Sequence, residues 1–307
     1  MVPAGLKIDC VQGKYSMATK RKKGDACPEP AGTLLIIGGH ENKGEDGSDG
    51  KVKPSTFQRL DVLKTFKDCI HKKSPSVEVI TTASGVPQEA FQEYKKIFEE
   101  LGFSKVGHIN HGTRKEVLDD SLEERVNQAD AFFLTGGDQL KLTAIYGGTR
   151  FLTVLKERYI QHPVVVGGTS AGAMALSTPM IYAGNEDVQE IGGEIKITTG
   201  LEFLKDVCID THFVNRSRFV RMAQVVITNP TCIGLGLDED TAIIVRNGSS
   251  AEVVGSGIVI VIDGFSITQT NVNEFDSKKA ITARDLNVHL LSTGDQYEIP
   301  QVNPPHQ

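Results

Sequence analysis

Short, largely apolar runs recur along the first half of the chain. They are Thr33-Leu34-Leu35-Ile36-Ile37, Val77-Glu78-Val79-Ile80-Thr81, Ala131-Phe132-Phe133-Leu134 and Val164-Val165-Val166. A strand that is apolar on both faces is buried on both, so these runs predict a parallel sheet covered by helices. Helical spacing fills the gaps between them. Phe57, Leu60, Leu63, Phe66 and Cys69 recur every third residue, and Phe91, Tyr94, Ile97, Phe98 and Leu101 share one face after a start at Pro87. Alternating strand and helix predicts an α/β fold with a parallel central sheet. Beyond residue 240 the pattern turns β-rich. Ala242-Ile243-Ile244-Val245, Asn247-Gly248 and Val253-Val254 predict a hairpin, and Ile258 to Ile262 a further strand. This region reads as an extension of the same domain, so residues 31–307 are expected to form one domain. Residues 1–30 hold the basic run Lys20-Arg21-Lys22-Lys23 and the turn-rich Cys27-Pro28-Glu29-Pro30, and are expected to be a flexible extension.

Composition narrows the function. With 39% apolar and 23% charged residues in 307, the chain can bury a large core. A net charge of −6 disfavours a nucleic-acid partner. Five cysteines without a CxxC pair argue against disulfides and a structural zinc site, and Cys208 and Cys232 in apolar runs read as buried thiols. No apolar stretch is long enough to span a membrane, and the N-terminus lacks the pattern of a signal peptide. The expected location is cytoplasmic. No H-E-x-x-H or paired Cys/His cluster occurs, so neither a metal nor another cofactor is expected.

The richest segment runs from Pro163 to Leu176. The apolar run Val164-Val165-Val166 leads through Gly167 into Gly168-Thr169-Ser170-Ala171-Gly172, and a helical stretch follows. This is G-x-S-x-G in the strand–turn–helix context of a nucleophile elbow. A sharp turn exposes the serine, and the N–H groups that open the helix can hold an oxyanion. The plainer alternative is a glycine-rich turn capped by Ser170. A phosphate-binding loop would need a lysine after the glycines, and none is present.

A serine nucleophile needs a base. His212 ends the run Val207-Cys208-Ile209-Asp210-Thr211-His212, which reads as a strand placing Asp210 and His212 on one face, beside the elbow strand. The orienting acid is open among Asp210, Asp238, Glu239 and Asp240. The order serine, histidine, acid differs from that of the α/β-hydrolases. Thr135-Gly136-Gly137-Asp138-Gln139 offers backbone N–H groups to an anion. Arg216, Arg218 and Arg221 suggest recognition of a carboxylate.

Taken together, Gly167 to Ala173, Thr135 to Gln139 and Asp210 to Arg221 resemble the cyanophycinase family of dipeptidase E-like serine peptidases. The opening Leu35 to Lys43 and the late Val261-Ile262-Asp263-Gly264 are similar to it as well. The resemblance implies a flavodoxin-like fold related to class I glutamine amidotransferases. It implies Ser170 as nucleophile, His212 as base and Glu239 as acid. Gly136, Gly137 and Ala171 would form the oxyanion hole. Gln139, Asp210, Arg216, Arg218 and Arg221 match positions tied to substrate binding or site architecture. The implied partner is cyanophycin, an arginyl-substituted poly-aspartate, cleaved without cofactor by a homodimer; with that substrate, an acid near the site, Asp210 foremost, is expected to help hold its arginine side chain. Thr211 departs from the family pattern, which carries glutamine there. The competing readings are an aspartyl dipeptidase of the dipeptidase E type and a non-catalytic metabolite-binding relative.

Overall fold

The computed structural model describes residues 29–41, 43, 60–120, 122–184, 195–273 and 281–300. The expected extension lies outside the described residues through Pro28. Phe57, Asn42, Cys10 and Cys27 also lie outside them.

The main sheet has eight strands. Its order is Gln296–Glu298, Ser250–Gly255, Thr241–Arg246, Thr33–Ile37, Val165–Thr169, Ala131–Leu134, Ser76–Ile80 and Lys105–Ile109. The last five run parallel to one another, and all but Lys105–Ile109 are the apolar runs from which the parallel sheet is predicted. Along Thr33–Ile37 the side chains alternate between two cores. Leu34 and Ile36 join one cluster, Leu35 and Ile37 the other. Both sheet faces are therefore covered, and an alternating polar residue would have nowhere to go. Glu78 is the exception that shows the rule. It is buried within its strand, and Arg125 grips its carboxylate through Nε and Nη2.

One face is filled by aromatic rings. Phe66 and Phe98 both contact Phe133, with centroids 5.3 Å away in each case. Phe98 comes from the helix Pro87–Glu100, which starts at the expected proline and buries Tyr94, Ile97 and Phe98. Phe66 comes from the helix Asp61–Asp68. Truncating either ring would cost about 3–5 kcal/mol. The strand Lys105–Ile109 escapes the sequence pattern because it is the sheet edge. Only Ile109 is fully buried in it, and His108 stacks on Phe91 at 4.1 Å.

The β-rich region divides between two sheets. Thr241–Arg246 pairs antiparallel with Thr33–Ile37, then turns back to Ser250–Gly255. Asn247 and Gly248 both take positive φ at the turn, and the Ser249 N–H returns to the Arg246 carbonyl at 3.1 Å. This is the hairpin chemistry that Asn-Gly announces. Val259–Asp263 instead enters a six-stranded sheet with Ile233–Leu237 and Val207–Asp210. The strand before His212 therefore does not lie beside the elbow strand, as chain order suggested. It belongs to the second sheet. The two sheets meet because the ends of Thr33–Ile37, Val207–Asp210 and Ile233–Leu237 converge, and there the site is built. Among the described residues no helix is long and apolar enough to cross a membrane. Cys69, Cys208 and Cys232 are free, the last two buried.

Candidate active site

The strand Val165–Thr169 ends in a sharp turn at Ser170, whose φ of 52° lies in the left-handed region. The helix Ala171–Ala175 follows at once. Ser170 makes no side-chain cap to that helix. Its hydroxyl lies 3.0 Å from Nε2 of His212, so the capped-turn alternative fails on geometry. The helix is only five residues long, so what it can offer an oxyanion is the first-turn N–H of Ala171 rather than a long macrodipole.

His212 sits past the end of its strand. Val207–Asp210 stops at Asp210, and His212 has a φ of 51°. The expectation that Asp210 and His212 share a strand face is therefore corrected. The chain has already left the pleat, and the two side chains do different work. His212 Nδ1 donates to Oε1 of Glu239 at 2.7 Å. An ionised carboxylate only accepts, so the proton sits on Nδ1 and the Nε2 lone pair faces the Ser170 hydroxyl. Of the four open acids, Glu239 is the one that reaches the imidazole. Asp238 accepts from the Glu239 N–H at 2.9 Å. Asp240 is buried and accepts from Ser256 Oγ at 2.8 Å.

Three consecutive carbonyls hold this arrangement. The Ser170 N–H donates to Ile37 at 3.1 Å, the His212 N–H to Gly38 at 2.9 Å and the Asp240 N–H to Gly39 at 2.9 Å. The end of Thr33–Ile37 thus fixes the backbone of all three segments at once. Next to it, Glu41 is buried and accepts from Tyr94 Oη and, at 2.8 Å, from Thr169 Oγ1. Asn215 donates to the second oxygen of Glu239. Sequence reasoning gave neither Glu41 nor Asn215 a role. Asn215 lay within the histidine–arginine block and Glu41 within the opening segment, but only the fold brings each to its partner.

Burial pushes the His212 imidazole below its ordinary pKa, and the charges of Arg216 and His40 act the same way while Glu239 opposes them. Burial works against ionisation of Glu239, but the hydrogen bond from His212 and the field of His40 outweigh it and hold its carboxyl below the usual range. The pair is thus set as neutral imidazole and carboxylate, the state a general base requires.

Gly137, Gln139, Ser170, Ala171, Thr211, His212, Arg216, Arg218 and Arg221 line one pocket. Gly137 has a φ of 136° and its backbone lies against the Ala83 carbonyl, a place only glycine can fill. Gly136 lies against Ser170. Gln139 donates to the Ile181 carbonyl at 2.9 Å. Two of the three arginines turn inward. Arg221 is buried and grips Asp210 through Nε and Nη2 at 2.6 Å each, and Arg218 adds a third bond to Asp210 at 2.8 Å. Asp210 is fully buried. It cannot hold a substrate arginine, because its oxygens are already taken by two guanidinium groups of its own chain. Arg216 is exposed; its backbone N–H donates to the His212 carbonyl at 3.0 Å, and its guanidinium has no hydrogen-bond or ion-pair partner among the described residues. Thr211 is buried, and its hydroxyl also lacks a partner among the described residues.

Serine, imidazole and carboxylate in line at the carboxyl ends of a mixed α/β sheet define the protein's class, a serine-type hydrolase. The chain matches Peptidase family S51 over residues 48–253 and belongs to that family of serine-type peptidases. It is 29% identical over 265 residues to the cyanophycinase of Geminocystis herdmanii, covering 86% of this chain and 93% of the relative. The cyanophycinase of Synechococcus elongatus is 30% identical over 268 residues, covering 87% and 79%. A peptidase from an acI-B1 Actinobacterium, known from its crystal structure, matches with a TM-score of 0.60 at 20% identity, covering 89% of this chain and 98% of that one. The fold is the flavodoxin-like, class I glutamine amidotransferase-like one that the resemblance implied.

Proposed function

We propose that the chain is a cyanophycinase, which hydrolyses the aspartate–arginine polymer to β-aspartyl-arginine through an acyl-enzyme on Ser170. The observation that carries this reading is the similarity to cyanophycinases along 86–87% of the chain. The site supports it with an exposed Arg216 that lines the same pocket as Ser170 and whose guanidinium has no partner among the described residues, suited to a carboxylate-rich substrate.

In this reading Ser170 Oγ attacks a backbone carbonyl as its proton passes to His212 Nε2. Glu239 holds Nδ1–H and stabilises the imidazolium. The N–H of Ala171 and those of Gly136 and Gly137 face the oxyanion. The imidazolium protonates the leaving amine, and water then releases the acyl group with His212 again as base. Arg216 binds a substrate carboxylate. Arg218 and Arg221, locked onto Asp210, form the floor that carries the pocket. Thr211 lines the pocket with its hydroxyl buried, so the polar contact that a longer glutamine would make in the family pattern is not expected from it.

A homodimer is part of the proposal, tested by sedimentation of the purified chain. The free thiols of Cys69, Cys208 and Cys232 suit a reducing, cytoplasmic location. Comparing kcat/KM on cyanophycin and on a small aspartyl dipeptide tests the substrate. Preference for the polymer is expected. Activity confined to the dipeptide would favour the dipeptidase E type instead.

A further inference from the structure

His40 stands at the mouth of the site without belonging to the proton path. Its side chain is 71% exposed, and its Nε2 lies 3.9 Å from Oε1 of Glu239. Its ring meets that of His212 edge to face, with centroids 5.1 Å apart. One ligand atom each from His40, His212 and Glu239 therefore fall within 4.8 Å of one another. Two imidazoles and one carboxylate are a common donor set for zinc. Donors around a tetrahedral ion, each at about 2.0–2.1 Å, stand roughly 3.3 Å apart. The His212–Glu239 pair at 2.7 Å would open slightly and His40 would close in. The freedom of an exposed side chain permits this. Asn215 already holds the other oxygen of Glu239, as outer-shell partners of metal ligands do.

We propose that His40, His212 and Glu239 form an inhibitory site for a divalent ion of the zinc class. The inhibition rests on His212 being the base of the proposed reaction. The ion takes the Nδ1 lone pair of His212 and displaces the proton that Nδ1 shares with Glu239. That proton moves to Nε2 of the same ring, so the imidazole stays neutral and no other group changes its proton count. Nε2 then carries N–H towards Ser170 and can no longer accept the serine proton. A base held in the wrong tautomer loses on the order of 10⁴ in turnover in the serine-protease case. The pocket itself stays open, because the ion sits on the Glu239 side of the ring and the substrate on the Ser170 side. Zinc therefore lowers kcat and leaves KM unchanged. Magnesium, which prefers oxygen ligands, leaves both unchanged.

The test uses the full chain after treatment with a chelator. Zinc chloride is titrated into wild type and His40→Ala, with binding read by calorimetry and kcat and KM read on cyanophycin. Wild type should bind zinc and lose activity through kcat alone, with recovery on adding chelator. Relative to its own zinc-free rate, His40→Ala should need on the order of tenfold more zinc or more for the same loss, since disturbing even an outer-shell partner weakens a metal by that much. Equal inhibition of both proteins, a rise in KM at constant kcat, or no zinc binding would overturn the proposal. Calorimetry needs no substrate, so the two readings fail separately. A chain that binds zinc through His40 but ignores cyanophycin removes the activity. A chain that cleaves cyanophycin and is indifferent to zinc removes the site.

Discussion

Gly39 lies under the imidazole of His212, so close that a Cβ placed there would stand 2.6 Å from Nε2. Its φ of 101° is also one that side chains rarely adopt. The ring is thus positioned from below by the absence of a side chain and held at its edge by Glu239. Gly39→Ala should push the ring off line. A displacement near 1 Å costs on the order of 10² in rate. The expected outcome is a folded protein whose kcat falls by about that factor while KM changes little. Near-normal kcat would show that the ring has room the geometry denies.

The acids beside Glu239 have different partners, and this separates them in kinetics. Glu239→Gln should lower kcat strongly, because an amide can donate to Nδ1 and favour the wrong tautomer. Asp238→Asn and Asp240→Asn should each do less, since one accepts from a backbone N–H and the other from Ser256. Steady-state kinetics of the three variants decide it, and a larger loss at either neighbour would displace Glu239 from its role.

Arg216 and Arg221 should behave in opposite ways. Removing one partner of a buried ion pair costs about 3–5 kcal/mol, because the other charge is stranded. Arg221→Ala leaves Asp210 buried without its bidentate partner and should lower the thermal midpoint by several degrees. Arg216→Ala should leave the midpoint unchanged and raise KM for the polymer. Thermal melts beside kinetics check both, and a destabilised Arg216→Ala with unaltered KM would reverse the assignment.

The pH profile follows from the charges around His212. In the proposed reaction His212 works as base when neutral, and its pKa is held below the ordinary value of about 6.5. The acid limb of kcat/KM should therefore fall at a pH below that of a free histidine. Arg216 disfavours the imidazolium, so Arg216→Ala should move the limb to higher pH. Glu239 favours it, so Glu239→Gln should move the limb to lower pH, measured on its residual activity. Shifts of the opposite sign would mean that another group carries the limb.

Much of the fold and of the site is legible in the sequence. The elbow at Ser170, the helix after Pro87 and the Asn247-Gly248 hairpin each carry a local signal, because turn chemistry and burial on both faces leave marks in neighbouring residues. The assignment of Val207–Asp210 to a second sheet left no such mark. Sheet membership depends on partners far along the chain, here Ile233–Leu237. The shared face of Asp210 and His212 failed because the strand ended two residues early, and no residue type announces that. The pairing of Asp210 with its own arginines was hidden for a related reason. An i+8 and an i+11 arginine meet it only through the turn that leads into the helix Phe219–Thr228.

The account rests on Ser170 as the nucleophile of polymer cleavage, and one comparison reaches it directly. Wild type and Ser170→Ala are incubated with purified cyanophycin, and the released products are weighed by mass spectrometry, with circular dichroism showing that both proteins are folded. Wild type should release a dipeptide of one aspartate and one arginine, and the variant should be slower by on the order of 10⁴ or more. A folded Ser170→Ala protein that keeps a tenth of the wild-type rate, or a wild type that releases no such dipeptide, would contradict the account.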